Sequence, residues 1–273
     1  MTTQQLSEKA NEIRAYAITM ICNAKTGHTG GAMSVSDILT VLFYDVMNFS
    51  PENAGSPDRD RFFLSKGHSC EPYYAILGDR GFFPKSELTA FSKAGSPIIG
   101  HPNNSVNGVE VCTGALGHGL PVAVGAAIGA KRTGKNFRTF VVMGDGEQAE
   151  GSVWEAAMAA ANYKLDNLWA VVDRNGLQIS GSTEDVMALD KLSEKYAAFG
   201  WDVTEINGND VAALREYFHS DRPQGKPHML IARTVKGKGL LFAENRAEWH
   251  HKVPTEDQLK EAYEALGVKE VRF

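Results

Sequence analysis

The stretch from Thr139 to Leu177 constrains this chain more than any other. Two short apolar segments, Thr139 to Val142 and Leu168 to Val172, flank one amphipathic segment. The first runs into a tight Gly144-Asp145-Gly146 turn, and Glu150 to Tyr163 then carries Val153, Trp154, Ala157 and Ala161 at helical spacing. Strand, turn, helix and strand make a β-α-β unit, whose two strands run parallel. Asp145 and Asn175 therefore stand at the carboxyl ends of neighbouring strands, the edge at which open α/β sheets hold ligands.

The chemistry offered at that edge is narrow. A hard divalent cation takes oxygen ligands, and Mg²⁺ completes its shell with phosphate and water. Asp145 offers a carboxylate, Asn175 an amide oxygen, and the turn after it a backbone carbonyl. Glycines on both sides of Asp145 let the main chain approach a diphosphate closely. A Gly-Asp-Gly turn alone is equally an ordinary connection. Its spacing is more informative: the thirty positions from Asp145 to Asn175, with β-α-β between them, resemble the thiamine diphosphate motif, which opens with Gly-Asp-Gly and closes with Asn.

Charge narrows the ligand further. The formal net charge is -5, so no basic footprint for nucleic acid exists and a diphosphate must be held locally by metal and backbone. Cys22, Cys70 and Cys112 are widely spaced, without a Cys-x-x-Cys, and read as reduced thiols filling the core. Met1 to Ala10 is polar, and the longest apolar region, Leu120 to Ala130, is too short to span a bilayer. A cytoplasmic protein without membrane attachment is expected.

Elsewhere the pattern alternates between helix and strand. Ile13, Ala17, Met20, Ile21 and Ala24 mark a helix ending near Gly27; Ser34 and Asp37 read as the capping box of the next. Asp58-Arg59-Asp60-Arg61 reads as a solvated face, ahead of a strand at Phe62 to Leu64 that runs into Ser65-Lys66-Gly67-His68. Gly119, Gly125 and Gly129 form a small-residue stripe, predicting a helix packed backbone-close in the centre. Further strands are predicted at Trp201 to Ile206 and His228 to Ala232, with helices over 190–199, 211–218 and, capped by Thr255, 256–266. Lys236-Gly237-Lys238-Gly239 lacks the upstream glycine and Ser/Thr of a Walker motif, and a zinc site at Trp249-His250-His251 lacks a cysteine pair. The expectation is one domain over 1–273: a doubly wound, mostly parallel α/β sheet with helices on both faces.

Together the segments resemble the N-terminal, diphosphate-binding part of a transketolase. The resemblance runs through Gly27-His28-Thr29-Gly30, Asp60 to His68, Gly100-His101-Pro102, Gly108-Val109-Glu110, Thr113 to Gly117, the central motif and Trp249-His250. It implies that Asp145, Asn175 and the carbonyl of Leu177 hold Mg²⁺ or Ca²⁺, while Gly144, with Gly146 beside it, His68 and His250 meet the diphosphate of thiamine diphosphate. Gly114, Leu116 and Ile179 would line the thiazolium, and His28 and His101 would face the sugar beside His68 and His250. Glu150 and Glu155 would belong to an acidic network joining two cofactor sites. Histidine suits such work because it exchanges protons near neutral pH.

The resemblance has gaps. His118 stands where the family commonly has glutamine, and Gly31-Ala32 where many members have proline. The chain is less than half a full transketolase, and the pyrimidine-binding part has no counterpart. The implied protein is one subunit of a split transketolase, two copies pairing with two of a separate pyrimidine-binding subunit, acting on sugar phosphates that the sequence leaves open. The alternatives are a 2-oxo acid decarboxylase or dehydrogenase component, a deoxyxylulose-phosphate-type synthase, and a non-catalytic cofactor-binding subunit.

Overall fold

The computed structural model describes residues 1–273. In chain order its strands are β1 (Arg61–Leu64), β2 (Thr139–Gly144), β3 (Leu168–Arg174), β4 (Leu177–Gln178), β5 (Gly181–Ser182), β6 (Asp202–Asn207) and β7 (His228–Arg233). Five form one sheet in the order β1-β2-β3-β7-β6, and every pairing in it is parallel. β4 and β5 form a small antiparallel hairpin beyond β3. The helices are α1 (Thr3–Ala24), α2 (Thr29–Val41), α3 (Glu71–Asp79), α4 (Gly119–Arg132), α5 (Gly151–Asn162), α6 (Thr183–Met187), α7 (Leu192–Ala198), α8 (Val211–His219) and α9 (Glu256–Leu266).

Side chains alternate across a strand, and the core divides accordingly. Phe62, Phe140, Val142, Val171 and Leu230 pack on one face with residues of α1, α2, α3 and α8. Their neighbours Phe63, Val141, Met143, Val172 and Ile231 pack on the other with α4, α5 and α7. Helices thus cover both faces, which is why the central strands carry continuous apolar runs rather than alternating ones. A third cluster binds α1 and α9 to Leu240, Ala243 and Trp249, anchoring the segment that ends in His250. The capping box at Thr255 forms, its hydroxyl accepting from Gln258 N while the Gln258 side chain reaches back.

Four local expectations fail, each for a tertiary reason. Ser34 and Asp37 lie inside α2, which begins at Thr29; Ser34 Oγ donates to Asp173 Oδ2 (2.6 Å), and Asp37 accepts both terminal nitrogens of Arg14 (3.1 and 2.5 Å). What reads as a cap is a pair of buried tethers. Arg59 and Asp60 are buried rather than solvated, because Asp60 accepts from the main chain of Asn48 (2.9 Å) and Arg138 (2.8 Å). Gly125 and Gly129 are exposed, and a Cβ on either would meet nothing within 4 Å; only Gly119 makes the close approach, against Ser65. Cys112 is exposed, whereas Cys22 and Cys70 fill the core. No helix is long and apolar enough to cross a membrane.

Candidate active site at the carboxyl edge of the sheet

Four strands end at one cavity of about 360 Å³. β1 delivers Lys66 and, through the turn Gly67–Ser69, His68; β2 delivers Gly144, Asp145 and Gly146; β3 delivers Asn175, just ahead of Leu177 at the start of β4; and Lys236 follows β7. The parallel register opposes Gly144 to Asp173, which brings the ends of the sequence motif to the same level. His28, at the start of α2, and His250 close the cavity from the side.

The expected metal ligands share this wall. Asp145 is buried; its Oδ1 accepts from Gly146 N (2.8 Å), and its Oδ2 from Gly176 N (2.6 Å) and Arg174 Nη1 (3.4 Å). Burial pushes its carboxyl above the usual range, against those donors. Asn175 Oδ1 accepts from Leu177 N (3.1 Å). The Leu177 carbonyl accepts from Lys236 Nζ (3.1 Å), so it faces a cation within the chain itself.

The histidines gather as the sequence implied. Ring centroids of His28 lie 5.2 Å from His68, 6.0 Å from His101, 5.7 Å from His250 and 4.6 Å from His251. Burial, reinforced by Lys66, Lys236 and neighbouring imidazoles, lowers His28 to about 4, His68 to about 2 and His250 to about 3; His101 is lowered by burial alone. All four are neutral at pH 7, able to donate through one nitrogen and accept through the other. His28 Nδ1 is buried without a hydrogen-bond partner, and its main-chain N–H donates to the buried Glu71 Oε1 (2.9 Å).

These shifts carry a sign. A histidine whose folded pKa lies below 6.5 stabilises the folded chain above that value, and the contribution is lost as pH falls below it. Burial raises Glu71 to about 7, which acts oppositely between about 4.5 and 7, so a difference between variants is the clean readout. His68→Gln should gain melting temperature relative to the unsubstituted chain as pH falls from 7.5 to 5.5. A difference constant with pH would mean that His68 titrates normally.

Several site groups have no role implied by the sequence. Lys66 Nζ pairs with Asp173 Oδ2 at 2.5 Å, both side chains almost fully buried. Lys236, lowered to about 8 by burial and by Lys66, lies 3.0 Å from His250 Nδ1. Glu147 staples three loops: Oε1 accepts from Gly117 N (2.8 Å) and from Ser65 Oγ, and Oε2 accepts from Gly144 N (3.0 Å). The available signal was position, since a lysine directly after an apolar strand is delivered to the same edge as Asp145.

Other expected residues divide. Gly114 and Leu116 line the cavity, and Ile179 stands at its rim, 75% exposed. His101 borders the cluster through His28 and Gly114, where a Cβ would come within 2.8 Å of its ring. Glu150 and Glu155 do not line the cavity; both are exposed at the start of α5. His118 is exposed and lines a separate cavity with Val111 and Cys112, so the glutamine departure leaves this wall untouched.

The donor set fits a metal-bound diphosphate ester. Two buried ammonium groups, Lys66 and Lys236, border a carboxylate, an amide oxygen and a carbonyl. A Cβ at Gly31 would sit 2.6 Å from Ser69 Oγ, so a side chain there would crowd the turn that carries His68.

Known proteins resemble this chain over nearly its whole length. Residues 5–273 match the sequence family described as transketolase, thiamine diphosphate binding domain. An apulose-4-phosphate transketolase subunit from Phocaeicola vulgatus is 46% identical over 263 residues, 96% of this chain and 94% of that protein. The 6-deoxy-6-sulfo-D-fructose transketolase subunit SqwG of a Clostridium species is 37% identical, covering 97% of this chain and 98% of that one. Among solved structures, the transketolase of Campylobacter jejuni superposes with a TM-score of 0.92 at 31% identity, over 99% of this chain but 44% of that one. The chain thus spans less than half the length of that enzyme.

Proposed function

Because the chain belongs to the transketolase family, matching its thiamine diphosphate-binding domain, we propose that it is the diphosphate-binding subunit of a two-subunit transketolase. The reaction is transfer of a two-carbon ketol unit from a ketose phosphate to an aldose phosphate in the cytoplasm. The carrying observation is that three neutral histidines, His28, His68 and His250, and the Asp145, Asn175 and Leu177 oxygens border a single cavity, with His101 against His28. The subunit pattern is supported by relatives of matching length that are named as transketolase subunits.

The residues divide the work by chemistry. Asp145, Asn175 and the Leu177 carbonyl would hold Mg²⁺ or Ca²⁺. Lys66 and Lys236 offset diphosphate charge, and Gly144, Gly146, His68 and His250 approach it closely. Gly114, Leu116 and Ile179 give the cofactor ring a mostly apolar wall. When bound, thiamine diphosphate supplies an electron sink for the ketol carbon. His28 and His101 then hold and exchange the protons of the sugar oxygens, with His28 Nδ1 free of any partner in the chain. Glu150 and Glu155, outside the cavity, would act only across an interface with a second copy.

The other half of the reaction lies outside this chain. A carboxylate against the pyrimidine is needed to activate the cofactor, and it would come from a separate subunit in a complex of two copies of each. The purified chain with thiamine diphosphate and Mg²⁺ should transfer no ketol unit, and adding the pyrimidine-binding subunit should restore transfer. Full activity in the chain alone would overturn the two-subunit reading; pyruvate turnover by the pair, without ketol transfer, would favour a 2-oxo acid enzyme.

A further inference from the structure

His251 follows the histidine expected at the diphosphate and has no role in the reading above. Its ring meets that of His28 edge-on, 4.6 Å between centroids at 63°, nearer than His68, His101 or His250. A second cavity of about 360 Å³ opens here, bordered by His28, Ile179, Ala247, Glu248, His250 and His251. It shares His28, Ile179 and His250 with the main cavity, so a ligand reaching from one to the other passes the His28 imidazole. Glu248 and His251 are exposed.

The chemistry of this outer wall is that of a carbohydrate site. Hydroxyl groups both donate and accept, and they are met here by a carboxylate, which accepts, and an imidazole, which can do either. The C–H face of a sugar needs apolar contact, offered by Ile179 and Ala247. No lysine or arginine borders the cavity, and the Glu248 carboxylate repels a phosphate. We propose that His251 and Glu248 form a subsite for the uncharged, hydroxylated carbons of the sugar next to the reacting ones, with the phosphate held beyond it. This inference rests on the transketolase reading and deepens it.

The test uses the chain reconstituted with its pyrimidine-binding subunit, thiamine diphosphate and Mg²⁺. His251→Ala and Glu248→Ala should each raise KM for a fully hydroxylated ketose phosphate by about 3- to 10-fold, the loss of one hydrogen bond. For deoxy analogues lacking the hydroxyls beyond the reacting carbons, the same substitutions should move KM less than about twofold. Equal increases for both substrates, or none for either, would overturn the subsite. A second readout does not need turnover: the ketose phosphate should shift the imidazole resonances of His251 in the loaded pair, and unshifted resonances refute the contact. Absence of ketol transfer by the unsubstituted pair counts against the transketolase reading, while the resonances still decide the subsite.

Discussion

Asp145→Ala is expected to weaken thiamine diphosphate binding by more than about 100-fold and to remove its dependence on a divalent cation, since loss of a group that only supports a metal ligand already costs 10- to 100-fold. Three buried carboxylates approach this edge, and their partners separate their roles. Asp173 is committed to Lys66, Ser34 and Thr234. Glu147 is committed to Ser65, Gly117 and Gly144. Asp145 borders the cavity and is held by two main-chain N–H groups and one long contact to Arg174, which orients it and leaves lone pairs for a cation. Calorimetry with and without Mg²⁺ measures the effect. Asp145→Asn is the control: it keeps the shape and one of the two main-chain N–H bonds, so it should fold better than Asp145→Ala and still lose most of the metal dependence. Unchanged affinity in Asp145→Ala would put the cation elsewhere.

The site was legible wherever a residue's chemistry and its place in the β-α-β pattern coincided. Asp145 and Asn175 could be paired from the sequence because parallel strands put both of their ends on one edge, and the register of β2 with β3 does so. The histidines were legible only together, each being an unremarkable loop residue until the resemblance set them side by side. What escaped was charge inside the protein. Lys66 and Asp173 lie 107 positions apart, and no local pattern links them; Lys236 stands in the sequence only within a Walker-like Lys-Gly-Lys-Gly. Ser34 and Asp37 carried the right cap spacing and went instead to partners in β3 and α1. The exposed stripe at Gly125 and Gly129 failed for another reason: small residues signal close packing without saying whether the neighbour belongs to the same chain.

Lys66→Met should destabilise the chain by about 3–5 kcal/mol, because it leaves the Asp173 carboxylate buried without its cation. Lys66 is 1% and Asp173 0% exposed, so water replaces the ammonium poorly. The remaining donors, Ser34 Oγ at 2.6 Å and Thr234 Oγ1, are neutral, and a hydroxyl offsets less of a buried charge than an ammonium does. For a chain of this size that cost corresponds to a fall in melting temperature of about 10 °C. The double variant Lys66→Met with Asp173→Leu removes both charges together and should recover most of the loss, as buried pairs replaced by apolar groups of similar volume often do. It should still bind thiamine diphosphate more weakly, since Lys66 borders the cavity. Folding and cofactor binding are thereby read separately: a double variant no more stable than Lys66→Met would mean that the pair is not what holds β1 to β3, and full cofactor affinity in it would remove Lys66 from the diphosphate site.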